Sequence, residues 1–263
     1  GVTFQSHLDG SKHHFTPEKI IDIQRSIGSD FIMMLDICPP GDADKQTWIN
    51  ALETTTRWAK RGMKHYLNTE SRYGHKQILF PIVQGGTDAE LRKRSARELC
   101  ELNANAYAIG GLAVGESQAE MFETVKNIAH DMPENKPRYL MGVGTPADIL
   151  GAVNEGVDMF DCVMPTRSGR TGLAFTWQGK INLKNSIYKN DKSPLDEKCF
   201  LRNLNLYSKS YLNHLIKTNE LLASMLISLH NVYFYQQFMH EIRKSIKSRT
   251  FTKFYNKYIK LFN

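Results

Sequence analysis

The sequence predicts an α/β protein built on a parallel sheet. Three observations carry that prediction. Five short apolar runs recur between longer helix-type patterns, those patterns open on capping signals, and the alternation ends near residue 172. A helix between consecutive strands returns the chain to the same end of the sheet, so neighbouring strands run parallel.

The strand-type runs, in order, are FIMMLD (31–36), ILFPIVQ (78–84), AYAIGG (106–111), RYLMGVG (138–144) and VDMFD (157–161). Each has strand length and flanking breakers. Thr16-Pro17 and Thr145-Pro146 place a hydroxyl cap before a proline at the first helical position, where a missing N–H costs nothing. Thr87 to Glu90 and Ser117 to Glu120 fit the capping box, in which hydroxyl and carboxylate satisfy free backbone N–H groups reciprocally. Asn154-Glu155-Gly156 closes a helix on a glycine suited to positive φ. Beyond residue 172, LAFTWQGKINL reads as a hairpin, and helices follow from about residue 207 to the end. The spacings suit a barrel and a doubly wound sheet equally. No GxGxxG follows a strand, which removes support for dinucleotide binding.

With 263 residues, 41% hydrophobic and 23% charged, the chain can bury a sizeable core. Its longest apolar stretches, FIMML and LLASMLISL, are too short to span a bilayer. No basic-then-apolar leader opens the sequence, so nothing argues for secretion or a membrane partner. Cys38, Cys100, Cys162 and Cys199 lie far apart, as expected of a cytoplasmic protein. The net charge of +7 is uneven: residues 181–263 hold 14 Lys/Arg against 5 Asp/Glu, while the preceding residues hold 20 against 22. A near-neutral body with a basic tail suits a polyanion such as nucleic acid, or simply a solvated lysine-rich surface.

In parallel α/β folds the reactive groups lie beyond the carboxyl ends of the strands. Asp36, Gln84, the pair Gly110-Gly111, Met141 and Asp161 all fall at those ends. A carboxylate such as Asp36 can accept both N1–H and N2–H of guanine. Gln84 and the Gly111 N–H can donate to the O6 and N7 edge. Gly110 and Gly111 lack a Cβ and let a flat ring approach the backbone. Met141 offers a polarizable thioether to a ring face. Asp161 is then free to attack a sugar carbon, as the nucleophile of a retaining glycosidase does. Arg167 and Arg170, in the polar segment that follows, are placed to hold phosphates or flanking bases.

Those residues sit in GVTFQSHLDGSKH (1–13), GGLAVGE (110–116), YLMGVG (139–144) and DMFDCVMPTRSGR (158–170), with HNVYFYQQ (230–237) a weaker match. Through these motifs the whole chain resembles the bacterial tRNA-guanine transglycosylases, which exchange the wobble guanine of U-G-U anticodon loops for the queuosine precursor preQ1. The resemblance implies a TIM barrel over about 1–172, with a hairpin and helical region over about 173–263 at the zinc-subdomain position, in one catalytic domain. It implies Asp161 as the nucleophile of a covalent ribosyl-enzyme. Asp36, Cys38, Gln84, Gly110, Gly111, Leu112 and Met141 would bind the base. Gly142, Val143, Gly144, Thr145, Pro146, Ala147 and Asp148 would contact tRNA, as would Thr166, Arg167, Ser168, Gly169 and Arg170. It further implies a homodimer and no cofactor for the chemistry itself.

Three departures carry expectations of their own. The family has further residues before the position of Gly1, holding the first barrel strands and a general acid/base Asp. The barrel is therefore expected to be N-terminally incomplete, needing a separate N-terminal polypeptide or lacking activity alone. The family's zinc motif, C-x-C-x-x-C with a distant His, reads here as Cys199, Leu201 and Leu204 with His230. Two of four donors remain, and structural zinc wants a closed tetrahedral set, so the zinc is expected to be lost. Finally, Ile37 stands where the family has an acid after Asp36, and Thr145 where it has a Lys. The alternative readings are a non-catalytic or degenerate tRNA-binding paralogue, and an unrelated barrel enzyme.

Overall fold

Backbone hydrogen bonds follow the predicted alternation but shorten every strand. A computed structural model describes residues 1–199, 201 and 204–262. They form two compact units: Gly1–Val143 with Ala152–Asp161, and Gly144–Gly151 with the residues from Cys162 onward. No described helix is long and apolar enough to cross a membrane.

The first unit opens on an antiparallel hairpin, β1 (Val2–Gln5) with β2 (Lys12–Phe15), paired from Val2↔Phe15 to Gln5↔Lys12. No strand was expected here, because both runs are only four residues long and KHHF carries no hydrophobic alternation to match that of VTFQ. Cross-strand side chains hold it instead: Phe4 packs edge-on to Phe15 at 4.9 Å, and Thr3 Oγ1 bonds His14 Nδ1 at 2.8 Å.

The five predicted strands follow. β3 (Phe31–Met33) pairs in parallel with β4 (Ile78–Phe80). Pro81 has no N–H for the ladder, so the predicted run 78–84 breaks there and resumes as β5 (Ile82–Val83). The Pro81 carbonyl still accepts from the Ala108 N–H at 2.9 Å, but the ladder divides there into a two-stranded sheet, β3–β4, and a four-stranded one that starts at β5. β6 (Tyr107–Ile109), β7 (Arg138–Leu140) and β8 (Met159–Phe160) complete the parallel order. The connecting helices are α1 (Pro17–Ile27), α2 (Lys45–Leu67), α3 (Ala89–Cys100), α4 (Gln118–Ala129) and α5 (Pro146–Asn154).

Capping mostly follows the sequence. The Thr16 side chain accepts from the Lys19 N–H, and Ser117 and Glu120 complete a reciprocal box. At α3 the cap is one residue later than expected. Asp88, not Thr87, accepts from the Leu91 N–H at 3.0 Å, where a carboxylate also gains from the helix dipole. Gly156, after α5, takes φ +90° as its position required.

Period-two alternation divides the strands between two apolar layers. Ile32, Leu79, Val83, Tyr107, Ile109 and Leu140 join helix residues such as Ala59, Leu99 and Ile128 in the larger core. Phe80, Ile82, Ala106 and Ala108 line the opposite face with Met33, Tyr139, Met141 and Met159. Two-sided burial is what a parallel sheet demands. Because the strands are short, the residues expected at their ends stand just past them. Asp36 lies three positions beyond β3 rather than closing it.

The second unit contains α6 (Met164–Arg170), the predicted hairpin β9 (Leu173–Thr176) with β10 (Gly179–Asn182), and helices α7 (Lys209–Lys217), α8 (Leu221–Lys247) and α9 (Phe251–Phe262). Residues 164–170, expected as a polar loop, are a short helix started by Pro165. The underside of α6 lies on α8 so closely that a Cβ on Gly169 would meet Ser228 Cα at 2.7 Å. Asn231 on α8 is fully buried and fixes the segment around α6: it accepts from the Phe175 N–H and donates to the Pro165 and Leu173 carbonyls, each at 2.9 Å.

Candidate active site

The parallel register brings the chemistry-bearing turns to one end of the sheet. Asp36 is carried there by a loop tied down twice, by Met34 N–H to Phe80 O at 3.1 Å and Ile37 N–H to Thr55 Oγ1 at 3.0 Å. Gln84 directly follows β5, is fully buried, and donates from Nε2 to Asp36 Oδ2 at 2.6 Å. One of the two amide hydrogens expected to meet the base edge is therefore committed to Asp36. Gln84 Oε1 is buried with no hydrogen-bond partner among the described residues. Burial pushes the Asp36 carboxyl above its usual range, and the Gln84 hydrogen bond only partly opposes this.

Gly110 and Gly111 follow β6, and both need their missing Cβ. On Gly110 it would meet Ile82 Cγ2 at 2.6 Å and Gln84 Nε2 at 2.9 Å; on Gly111, which has φ +63°, it would collide with Gln84 Oε1. The Gly111 N–H faces the Cys38 thiol. That thiol is pushed up first by burial and then by the Asp36 charge. Leu112 turns its side chain into the larger core, leaving only its backbone to the site. Met141, just past β7, packs on the second apolar layer.

Asp161 follows β8 directly and is exposed. One carboxylate oxygen is fixed by two donors: the Tyr139 hydroxyl at 2.7 Å and the Gly142 N–H at 2.8 Å, both to Oδ1. Gly142 reaches this position at φ +74°. Tyr139 is held far above the usual phenol range, chiefly by burial and then by the Asp161 carboxylate it serves. Sequence reasoning missed Tyr139 as a site residue, although it stands two positions before Met141 on the same face of β7. It also missed Arg92 on α3, a fully buried arginine whose charge gave no hint of a partner.

Of the other predicted residues in the first unit, Gly142 is exposed and Val143 is buried. In the second unit, Gly144, Pro146 and Ala147 are buried, while Thr145 and Asp148 close a capping box. Thr145 donates from N–H and hydroxyl to Asp148 Oδ2 at 2.7 and 2.8 Å, and a Cβ on Gly144 would meet that same oxygen at 2.7 Å. The Tyr235 hydroxyl donates to Gly144 O at 3.2 Å. On α6, Thr166, Arg167 and Arg170 are exposed, whereas Ser168 and Gly169 are buried.

Two of the four donors expected of a zinc site are present in the Cys199–His230 region. Cys199 and His230 are both buried. Leu201 and Leu204 stand at the two other positions where sulfur donors were expected. Phe200, Arg202 and Asn203 of this stretch lie outside those residues. His230 Nε2 bonds Phe175 O at 2.9 Å, and its Nδ1 is buried with no hydrogen-bond partner among the described residues. Burial lowers its pKa and keeps the ring neutral. Nearby Asp196 accepts from the Trp177 and Lys198 N–H groups at 2.8 and 3.0 Å.

A family model described as queuine tRNA-ribosyltransferase matches residues 1–263. Curated relatives of that name include one from a Thermoanaerobacter species, 48% identical over 99% of this chain and 68% of the relative. Others come from Novosphingobium aromaticivorans, 47% identical over 97% of the chain and 68% of the relative, and from Fusobacterium nucleatum, 47% identical over 98% and 69%. A match that runs the length of the chain, at nearly half identity, shows that it belongs to the queuine tRNA-ribosyltransferase family of pentosyltransferases.

Proposed function

We propose that this chain is a tRNA-guanine transglycosylase that exchanges the wobble guanine of a U-G-U anticodon loop for preQ1 through a ribosyl ester of Asp161. The observation that carries the reading is the Asp161 carboxylate, exposed yet held by the Tyr139 and Gly142 donors on a single oxygen. Those donors point the carboxylate while leaving its second oxygen to attack. The attack forms an O–C1′ bond as the C1′–N9 bond of guanosine breaks, and guanine departs after N9 takes up a proton. The incoming base then loses a proton and attacks C1′, and its bond to carbon forms as Asp161 leaves. The same two hydrogen bonds favour the carboxylate as leaving group in this second step.

Asp36, Cys38, Gln84, Gly110, Gly111, Leu112 and Met141 form the base site. Asp36 accepts from the guanidine edge of the base, and the Gly111 backbone N–H meets the carbonyl edge. The glycines keep the floor thin enough for a ring to lie against it. Residues 142–148, together with Thr166, Arg167, Ser168, Gly169 and Arg170, form the tRNA contact. Arg167 and Arg170 face solvent from α6 and carry the phosphate contacts, while Ser168 and Gly169 act by seating α6 on α8. The alternating apolar layers support a (β/α)8 barrel as the complete fold. The reading also includes a cytoplasmic homodimer without structural zinc.

The test is trapping of the intermediate. The chain is mixed with an anticodon stem-loop carrying U-G-U, with and without the preceding third of a curated relative supplied in trans, and run on denaturing gels. The expected result is a shifted RNA–protein band that is lost in Asp161→Asn. Absence of the band under both conditions, with RNA still bound, would leave the non-catalytic tRNA-binding paralogue as the reading.

A further inference from the structure

Arg92 is a buried cation with no carboxylate within ion-pair distance among the described residues; the Glu116 charge acts on it only from farther off. It sits in the first turn of α3, is 1% exposed, and spends its guanidinium entirely on backbone carbonyls. Nε donates to Gly86 O at 2.7 Å, Nη1 to Val83 O at 3.0 Å and Gly110 O at 2.6 Å, and Nη2 to Gly111 O at 3.0 Å. Burial lowers its pKa to about 10, so it stays charged at neutral pH. Placing a lone charge in a core costs several kcal/mol unless dipoles replace its water. A leucine would fill this volume without that cost. The arginine therefore needs a reason at the strand ends.

The reason lies in the peptides it holds. Its four acceptors belong to two turns, 83–86 and 110–111, that carry Gln84 and the Gly111 N–H. A trans peptide points its C=O and N–H in opposite directions. With Gly110 O drawn to Nη1, the same peptide plane must aim the Gly111 N–H away from Arg92, and it does face the Cys38 thiol. Gly111 has the φ of +63° that only a residue without a side chain adopts freely, so its own backbone does not fix this orientation.

We infer that Arg92 is a positioning residue for base selection: by gripping the Gly110 and Gly111 carbonyls it fixes the Gly111 N–H as a donor for the 6-oxo edge of a purine-like base. The inference rests on the base site proposed above. A Lys offers three donors from one point and cannot span acceptors spread over two turns.

Arg92→Lys and Arg92→Ala are compared with the unsubstituted chain for equilibrium binding of guanine and of 6-thioguanine, which keeps the N1–H and the 2-amine but replaces the 6-oxo group with a weaker sulfur acceptor, and separately for stem-loop RNA binding. The unsubstituted chain should prefer guanine. In Arg92→Lys the guanine affinity should fall at least tenfold, the preference should shrink toward unity, and RNA affinity should stay within twofold. Unchanged preference in a folded variant overturns the inference and leaves the base site standing. Failure of the unsubstituted chain to bind guanine overturns both. If the variants do not fold, Arg92→Ala is refolded with ethylguanidinium, which can refill the cavity. Recovery of fold and preference together supports the positioning role, and recovery of fold without preference overturns it.

Discussion

Two regions of this chain bear marks of one family, and their polar groups have fared differently. At the strand ends of the first unit, Asp36 is bonded to Gln84, Asp161 to Tyr139 and Gly142, and Arg92 to four carbonyls. Around Cys199 in the second unit, two donor positions are leucines, and His230 keeps one nitrogen on a carbonyl and one buried without a partner. A network survives substitution poorly, because each lost partner strands a buried polar group. A metal site that loses two ligands can be replaced by apolar packing at small cost, as Leu204 at 5% exposure illustrates. On the proposed function, the difference separates groups needed for chemistry from groups needed only for cohesion.

The sharpest test of that separation is to break a network that has no part in the chemistry. Asn231 satisfies three backbone groups around α6 from inside the second unit. Asn231→Ala removes three hydrogen bonds to buried backbone groups. Each costs about 1–3 kcal/mol before water relieves it, so a loss of roughly 2–4 kcal/mol in urea-monitored stability is expected. A loss below about 0.5 kcal/mol would show that the helix seat does not depend on the amide.

In the first unit the comparison is sharpened by pH. The proposed base site needs Asp36 ionised, and burial raises its pKa above the ordinary carboxylate value. Guanine affinity should hold at neutral pH and fall as pH drops through that raised pKa, at up to tenfold per unit. Asp36→Asn should lower affinity at neutral pH and abolish this acid limb. The same sign applies to folding: a raised carboxyl pKa makes the folded state the stronger proton binder, so Asp36 costs stability as pH rises through it. Replacing it with Asn should remove that cost. A base-binding profile flat from neutral pH down to the ordinary carboxylate range would break the assignment.

Much of this was legible in the sequence, for identifiable reasons. Strand and helix order followed from period and caps, and the polar residues at the strand ends stood out because buried strands rarely end on them by chance. What escaped did so physically. The β1–β2 hairpin has four residues a side, and only VTFQ alternates while KHHF does not. The segment around Arg167 looked like a loop because the seat that makes it helical is supplied by Ser228 and Asn231, more than fifty positions away. Arg92 escaped because no local pattern distinguishes a cation solvated by carbonyls from one solvated by water.

Tyr139→Phe asks for a smaller effect. It deletes one of two donors to Asp161 Oδ1 and leaves the Gly142 N–H in place. One hydrogen bond to a charged group is worth about 1.5–3 kcal/mol at most in a dry site, and Asp161 is exposed. A roughly tenfold slower formation of the RNA adduct is expected, with base affinity unchanged. If adduct formation is unaffected, the Tyr139 hydroxyl has no share in orienting the nucleophile.

The smallest expected effect falls on the other side of the comparison. A structural zinc holds its domain together only through a complete ligand set, and its removal then unfolds the surrounding chain. Here Cys199 offers one thiol, pushed up by burial, and His230 already shares Nε2 with the Phe175 carbonyl. Excess chelator should therefore shift Tm by less than about 1 °C, well below the roughly 2–4 °C that 1 kcal/mol produces in a chain of this size. Elemental analysis of the purified protein should find far less than one zinc per chain. One tightly held zinc, with a large loss of Tm on chelation, would mean that donors beyond Cys199 and His230 complete the site. The two regions would then both be functional remnants of the same standing, and the contrast between chemistry and cohesion would fall.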